Sequence, residues 1–200
     1  MTKENKEKYH HGDLRNALIE AGLEILTQEG ENALSLRKVA RKVGVSHAAP
    51  YRHFANKEIL IAAIADEGYQ KLEAQMKEAI AQFPDDSSVQ LIELGWAYIQ
   101  FALENPSHLR VMFTDFSEAC ELETESTFDL LVQTIKVGQE TNDVVAGDAM
   151  PLALTLWSVV HGLSIFLIEN KIPPVTSGAI SAEEVARACL QVAYGGVRKK

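Results

Sequence analysis

Between Ser35 and Lys57 the chain carries six cationic side chains, Arg37, Lys38, Arg41, Lys42, Arg52 and Lys57, and no Asp or Glu. The whole protein has a net charge of -9, so this short window runs against the trend of the molecule. Positive charge gathered on one segment of an acidic protein is suited to holding a polyanion. Polar and aromatic groups are interleaved with it. His47, Ala48 and Ala49 open a segment able to meet base edges: His47 by a hydrogen bond, the alanines against thymine methyl groups. Tyr51, Arg52, His53 and Lys57 follow, with donors suited to phosphate oxygens. The chemistry on offer is recognition of duplex DNA.

The elements that must position these groups are legible in the same window. Ser35 is a cap for a short helix whose apolar face is Leu36, Val39, Ala40 and Val43. Gly44 supplies the left-handed turn that ends it. Ser46 reads as the cap of a second helix running to about His53. Two short helices joined through Val43-Gly44-Val45 make a helix–turn–helix, which offers the second helix to the major groove. Backbone N–H groups near Ser35 and Ser46 also attract phosphates. A basic run is often only a solvated helix face. The complete absence of carboxylates, together with caps and turn in register, favours DNA.

The rest of the chain has helical punctuation throughout and no strand alternation, so the fold class is all-α with about nine helices. Asp13 precedes a helix that ends at Gly30, and Asn56 precedes one running to about Gln82. A helix with two apolar faces ends at Asn105-Pro106. A short segment through Phe113 follows, then a helix from about Glu118 to Gln139. An uncharged helix occupies Ala149 to Ile168, Ile172 to Gly178 is a loop, and a Ser181/Glu184 capping box opens a last helix to about Tyr194. The expected division is a reading head over residues 1–57 and a helical body over 58–200. Residues 1–58 carry ten Lys/Arg against eight Asp/Glu, and residues 59–200 nine against twenty. The body should therefore repel DNA.

Ala149 to Ile168 is long enough to cross a bilayer at about 1.5 Å per residue. Pro151, Thr155, Ser158, His161, Gly162 and Ser164 interrupt it, and no Lys/Arg cluster or aromatic belt flanks it. Burial inside a protein is the simpler expectation. The charged first residues do not resemble a signal peptide, and Cys120 and Cys189 lack metal-ligand spacing. A cytoplasmic protein fits both observations.

Enzyme chemistry finds little support. There is no nucleophile elbow, no Gly-rich phosphate loop and no zinc-type His spacing, so no catalytic residue, metal or cofactor is expected. Trp96, Tyr98, Phe101, Phe113, Phe116 and Trp157 are either ordinary core or the lining of a ligand cavity. His161, one turn from Trp157, is either a satisfied core histidine or a contact to such a ligand. The acidic run Glu118, Glu121, Glu123, Glu125 and Asp129 reads as a solvated face.

Gly44-Val45-Ser46-His47-Ala48-Ala49-Pro50-Tyr51-Arg52-His53-Phe54, followed by Asn56-Lys57-Glu58, resembles the signature of the tetracycline-repressor (TetR/AcrR) family of bacterial regulators. Tyr9 to Arg15 and Trp157…His161-Gly162 resemble a subset named for a Trp-His-Gly carboxy-terminal domain. The resemblance implies an all-helical homodimer with a DNA-reading head and a body that receives a small-molecule effector. It also implies that Ser35, Arg37, Lys38, Ser46, His47, Tyr51, His53 and Lys57 occupy positions that often touch DNA. Many relatives carry Leu where this chain has Pro50.

Such a protein would be a sequence-specific transcriptional regulator, most simply a repressor released from its operator by the effector. An effector-independent architectural DNA binder is the alternative, but it would leave the apolar body unexplained. Ser158 and Gly162, small and four residues apart, permit close helix approach, and Val185, Ala188, Cys189 and Val192 form a stripe on the last helix. The resemblance implies that these two helices pair with their symmetry mates. The dimer would then read a palindrome with half-sites about 34 Å apart.

Overall fold

The computed structural model describes residues 11–113 and 125–198. Nine α-helices form among them: α1 His11–Glu29, α2 Leu36–Val43, α3 Lys57–Ala81, α4 Ser87–Glu104, α5 Pro106–Met112, α6 Glu125–Glu140, α7 Ala149–Ile168, α8 Pro173–Thr176 and α9 Ala182–Val197. Two 3₁₀ turns, Glu31–Ala33 and Pro50–Arg52, complete the order. The described residues contain no strand, only an isolated antiparallel bridge between Val144 and Arg198.

The helix count agrees with the sequence reading, but the membership differs. The segment expected as a helix from Ser46 to His53 is a turn followed by the 3₁₀ turn Pro50–Arg52. An α-helix starting at Ser46 needs an N–H at residue 50 to reach the Ser46 carbonyl, and proline has none. The Ser46 carbonyl accepts from Ala49 N–H at 2.9 Å instead, which tightens the turn to three-residue spacing. Conversely, the expected loop at Ile172 to Gly178 contains α8, started by Pro173 and Pro174, whose fixed φ suits a first turn. Asp13 lies inside α1 rather than before it.

The remaining punctuation behaves as the residue types dictate. The Ser35 hydroxyl accepts from Lys38 N–H at 3.2 Å, and Gly44 ends α2 at φ 81. Asn56 caps α3 through Ile59 N–H at 2.9 Å. Ser181 and Glu184 close a reciprocal capping box on α9.

The chain forms two compact units. Among the described residues one comprises 11–67 with 110–113, and the other 68–109 with 125–198. The first has a small core of Leu18, Ile19, Ile25, Val39, Phe54, Leu60 and Ile64, each no more than 2% exposed. Gly22 permits the close approach of α1 and α3, since a Cβ there would stand 3.0 Å from Ile64 Cδ1.

In the second unit α4 is the central helix and packs against α6, α7 and α9. Its buried face runs through Leu91, Leu94, Tyr98 and Phe101, with Ile99 also fully buried. Gly95 lets α9 press close, because a Cβ there would collide with the Leu190 side chain. Arg187 pins α9 to α4 by donating to Glu93 at 2.7 Å.

The expectation for α7 needs correction. By length and composition it could cross a membrane, yet only 22% of its apolar window is buried within this chain. One stripe, Ala149, Ala153, Val160, Ser164 and Leu167, faces the core. Met150, Leu154 and Phe166 lie 46–56% exposed on another. Side chains apolar on every face cannot all be covered by neighbours on one side only.

Candidate nucleic-acid interface and body cavity

The reading head places its predicted groups outward. Ser35, Arg37, Ser46, His47, Ala48, Tyr51 and Arg52 are exposed, while Lys38, Ala49, His53 and Lys57 are partly covered. Pro50 is buried and Tyr51 is 53% exposed, so the 3₁₀ turn anchors itself by proline and displays its aromatic and Arg52 to solvent. Phe54 closes the segment from beneath, 2% exposed, with the Arg15 guanidinium 5.7 Å from its ring centre. His53 N–H and Phe54 N–H both donate to the Pro50 carbonyl at 2.9 Å.

The six cations of this window are not equivalent. Lys38 pairs with Glu29, Lys42 with Glu24, and Lys57 with Glu31 at 3.3 Å. Arg37, Arg41 and Arg52 are exposed and form no ion pair among the described residues. The sequence reading overlooked all three glutamates because they lie outside the basic window. Arg41 belongs to the same exposed set, although it was not assigned a contact.

In the body the structure brings together three of the seven candidate ligand groups. Tyr98 and Trp157 line an internal cavity of about 30 Å³ with Leu91, Leu94, Leu156 and Leu190 among its walls. Their rings meet edge to face at 4.9 Å, and the Tyr98 hydroxyl shares a 2.9 Å hydrogen bond with His161 Nδ1. Burial pushes the Tyr98 phenol up and the His161 imidazole down from their ordinary values, so both are held neutral. Tyr98 and Tyr194 are the hydroxyl-bearing residues of an otherwise apolar wall, and His161 stands behind Tyr98.

The other candidates stand elsewhere. Phe101 is core at 1% exposed and does not line the cavity. Trp96 faces a separate, open groove, with the Arg187 guanidinium 5.4 Å from its ring centre. Phe113 is exposed and falls in the first unit. Phe116, like Tyr9 and His10 at the start of the Tyr9 to Arg15 motif, Cys120 and the acidic run from Glu118 to Glu123, lies outside the described residues. The aliphatic cavity walls carried no signal in the sequence, since core and cavity use the same residue types. Among the described residues no three His, Cys, Asp or Glu side chains gather as a metal site.

Ser158 is exposed and Gly162 has open space beside its Cα. Together with Met150, Leu154 and Phe166 they form a stripe at four-residue spacing along α7. That spacing, extended in both directions from Ser158, would have found the three apolar members. On α9, Val192 is 79% exposed, Ala188 is exposed, and Val185 and Cys189 are partly so.

Comparison with known proteins finds two family matches along the chain. Residues 18–64 match the bacterial regulatory proteins of the tetR family, and residues 91–190 match the tetracyclin repressor-like C-terminal domain. An uncharacterized HTH-type transcriptional regulator, YobS of Bacillus subtilis (strain 168), is 27% identical over 160 residues, covering 80% of this chain and 81% of that protein. The class A tetracycline repressor from transposon 1721 of Escherichia coli is 41% identical over 51 residues, 26% of this chain and 24% of the repressor. A solved protein of unknown function from Rhodococcus sp. RHA1 superposes with a TM-score of 0.82 at 28% identity, covering 97% of this chain and all of that one. With an exposed cationic helix–turn–helix, an all-helical body and matches that run through both, this chain belongs to the tetR family of bacterial regulatory proteins and is a DNA-binding transcriptional regulator.

Proposed function

We propose that the protein is a repressor that holds its operator as a homodimer and lets go when a small molecule enters the body. The observation that carries this reading is the cavity beside Tyr98 and Trp157, an apolar space in a chain whose head displays exposed arginines. Arg37, Tyr51 and Arg52 grip phosphates, and His47, Ala48 and Ala49 face base edges. The exposed stripes of α7 and α9 pair with those of a second copy, so that two heads meet two half-sites.

No charged side chain lines the cavity, and Tyr98 and His161 are both neutral. An ion entering it would lose its hydration without gaining a partner. The effector class that fits is an uncharged, largely apolar molecule with one hydrogen-bonding group for the Tyr98–His161 pair. Release requires that it favour the DNA-incompetent state, by about 1–3 kcal/mol for an ordinary coupling. α3 supplies Met76 to the cavity wall and begins at Lys57 in the head, which gives the coupling a continuous element.

The test combines footprinting of the chain's own upstream region with a thermal-shift screen of neutral and charged small molecules. A molecule that raises the melting temperature and also releases the footprinted duplex supports the reading. Equal affinity for that duplex and for random DNA at physiological salt counts against specific repression.

A further inference from the structure

Three of the six cations in the window from Ser35 to Lys57 are already occupied. The glutamates that hold them, Glu29, Glu24 and Glu31, have side chains 48%, 55% and 56% exposed, and their lysine partners are 32–37% exposed. The partition follows residue type: within the window and among the described residues, every paired cation is a lysine and every unpaired one an arginine. None of the three acids lies in the basic window itself. Two come from α1 and one from the 3₁₀ turn Glu31–Ala33.

We propose that Glu24, Glu29 and Glu31 are specificity-determining residues that stand in for DNA phosphates in the free protein. Each carboxylate offers its lysine the charge and oxygen geometry that a phosphate would offer. Binding of any duplex must exchange one anion for another and leave the displaced carboxylate beside the DNA backbone, where like charges repel. The three lysines therefore add little to the sequence-independent attraction, although their charge is nominally present. Non-specific affinity comes almost wholly from phosphate neutralisation and counterion release, so this arrangement lowers it selectively. Base-edge contacts from His47, Ala48 and Ala49 and the bidentate reach of the arginines are left intact. The ratio of operator to random binding rises as a result. The basic window attracts DNA as three arginines rather than as six cations.

The test uses the full-length protein and a random-sequence 30-base-pair duplex, with binding followed by anisotropy across a potassium chloride series. Glu24→Gln, Glu29→Gln and Glu31→Gln combined should strengthen random-duplex binding by about tenfold or more at low salt. The slope of log affinity against log salt should steepen by about 0.9 for each lysine released, on the order of two to three per head. An equal charge change on the body, Asp85→Asn with Glu140→Gln and Glu169→Gln, should move neither quantity by comparable amounts. If the triple head variant keeps the wild-type slope and affinity, or if the body variant matches its gain, the proposal is wrong. Glu29→Gln alone is the fallback should the triple variant melt early: a steepening of about 0.9 or less per head is expected, and none at all overturns the assignment.

Discussion

The head and the body of this molecule hide opposite things. In the head the core is small and conventional, and everything useful is on the outside: Arg37 stands in solvent on α2, and Tyr51 and Arg52 on a turn anchored by buried Pro50. In the body the outside is acidic, and the candidate chemistry is inside, where Tyr98 at 1% exposure shares its hydroxyl with His161. A polyanion is too large to enter a protein and must be met on a surface, whereas a small apolar molecule gains most by leaving water. The two halves are each suited to a different partner.

That contrast can be broken at the head first. Arg37→Ala with Arg52→Ala should weaken binding of the footprinted duplex by on the order of a hundredfold at low salt, with an unchanged melting temperature, because exposed side chains carry affinity without stability. A large fall in melting temperature would show that the arginines serve the fold. In the body the expectation inverts. Gly138→Ala should cost roughly 1–3 kcal/mol in chemical denaturation and spare DNA binding, since a Cβ there would lie 2.6 Å from Val144 Cγ2.

Tyr98→Phe sharpens the comparison further. Removing one hydroxyl from the buried pair should cost about 1 kcal/mol of stability, and it should weaken a neutral polar effector more than a plain hydrocarbon. Pro50→Leu is a smaller perturbation: it restores an N–H at residue 50, and binding of the same duplex should change by no more than a few-fold. Retained binding would show that the proline ring is dispensable, and complete loss that it is required.

The smallest effect is on pH. Burial holds the His161 imidazole below its ordinary value of 6.5, so the folded state binds fewer protons than the unfolded one. Its contribution is fully present above pH 6.5 and fades on acidification below it. The melting temperature of the wild type should fall over that range more than that of His161→Gln. Parallel pH profiles would show that His161 charges freely in the fold.

The head was legible because its signals are local. Ser35, Gly44 and Asn56 act on neighbours within four residues, and the basic window is contiguous. Its two surprises were also physical: one missing N–H at Pro50 converted a helix into a 3₁₀ turn, and the lysines found partners on α1 and the 3₁₀ turn after it, beyond the window. The body was legible only as helices. Whether Trp96, Phe101 or Trp157 borders empty space depends on how four helices close over Gly95 and Leu190, and no spacing in the chain encodes that remainder. The α7 stripe lay between these extremes. Its four-residue period was in view, but apolar residues on every face concealed which side would be left uncovered.

The cavity's volume of about 30 Å³ is room for a single water molecule. Under the proposed function, a guest of useful size could enter only if wall side chains such as Met76, Leu156 or Leu190 moved aside. Association would then proceed at the pace of that opening rather than of diffusion, and departure would be slowed by the same walls. A regulator built this way would average over brief pulses of its signal and answer exposure that lasts.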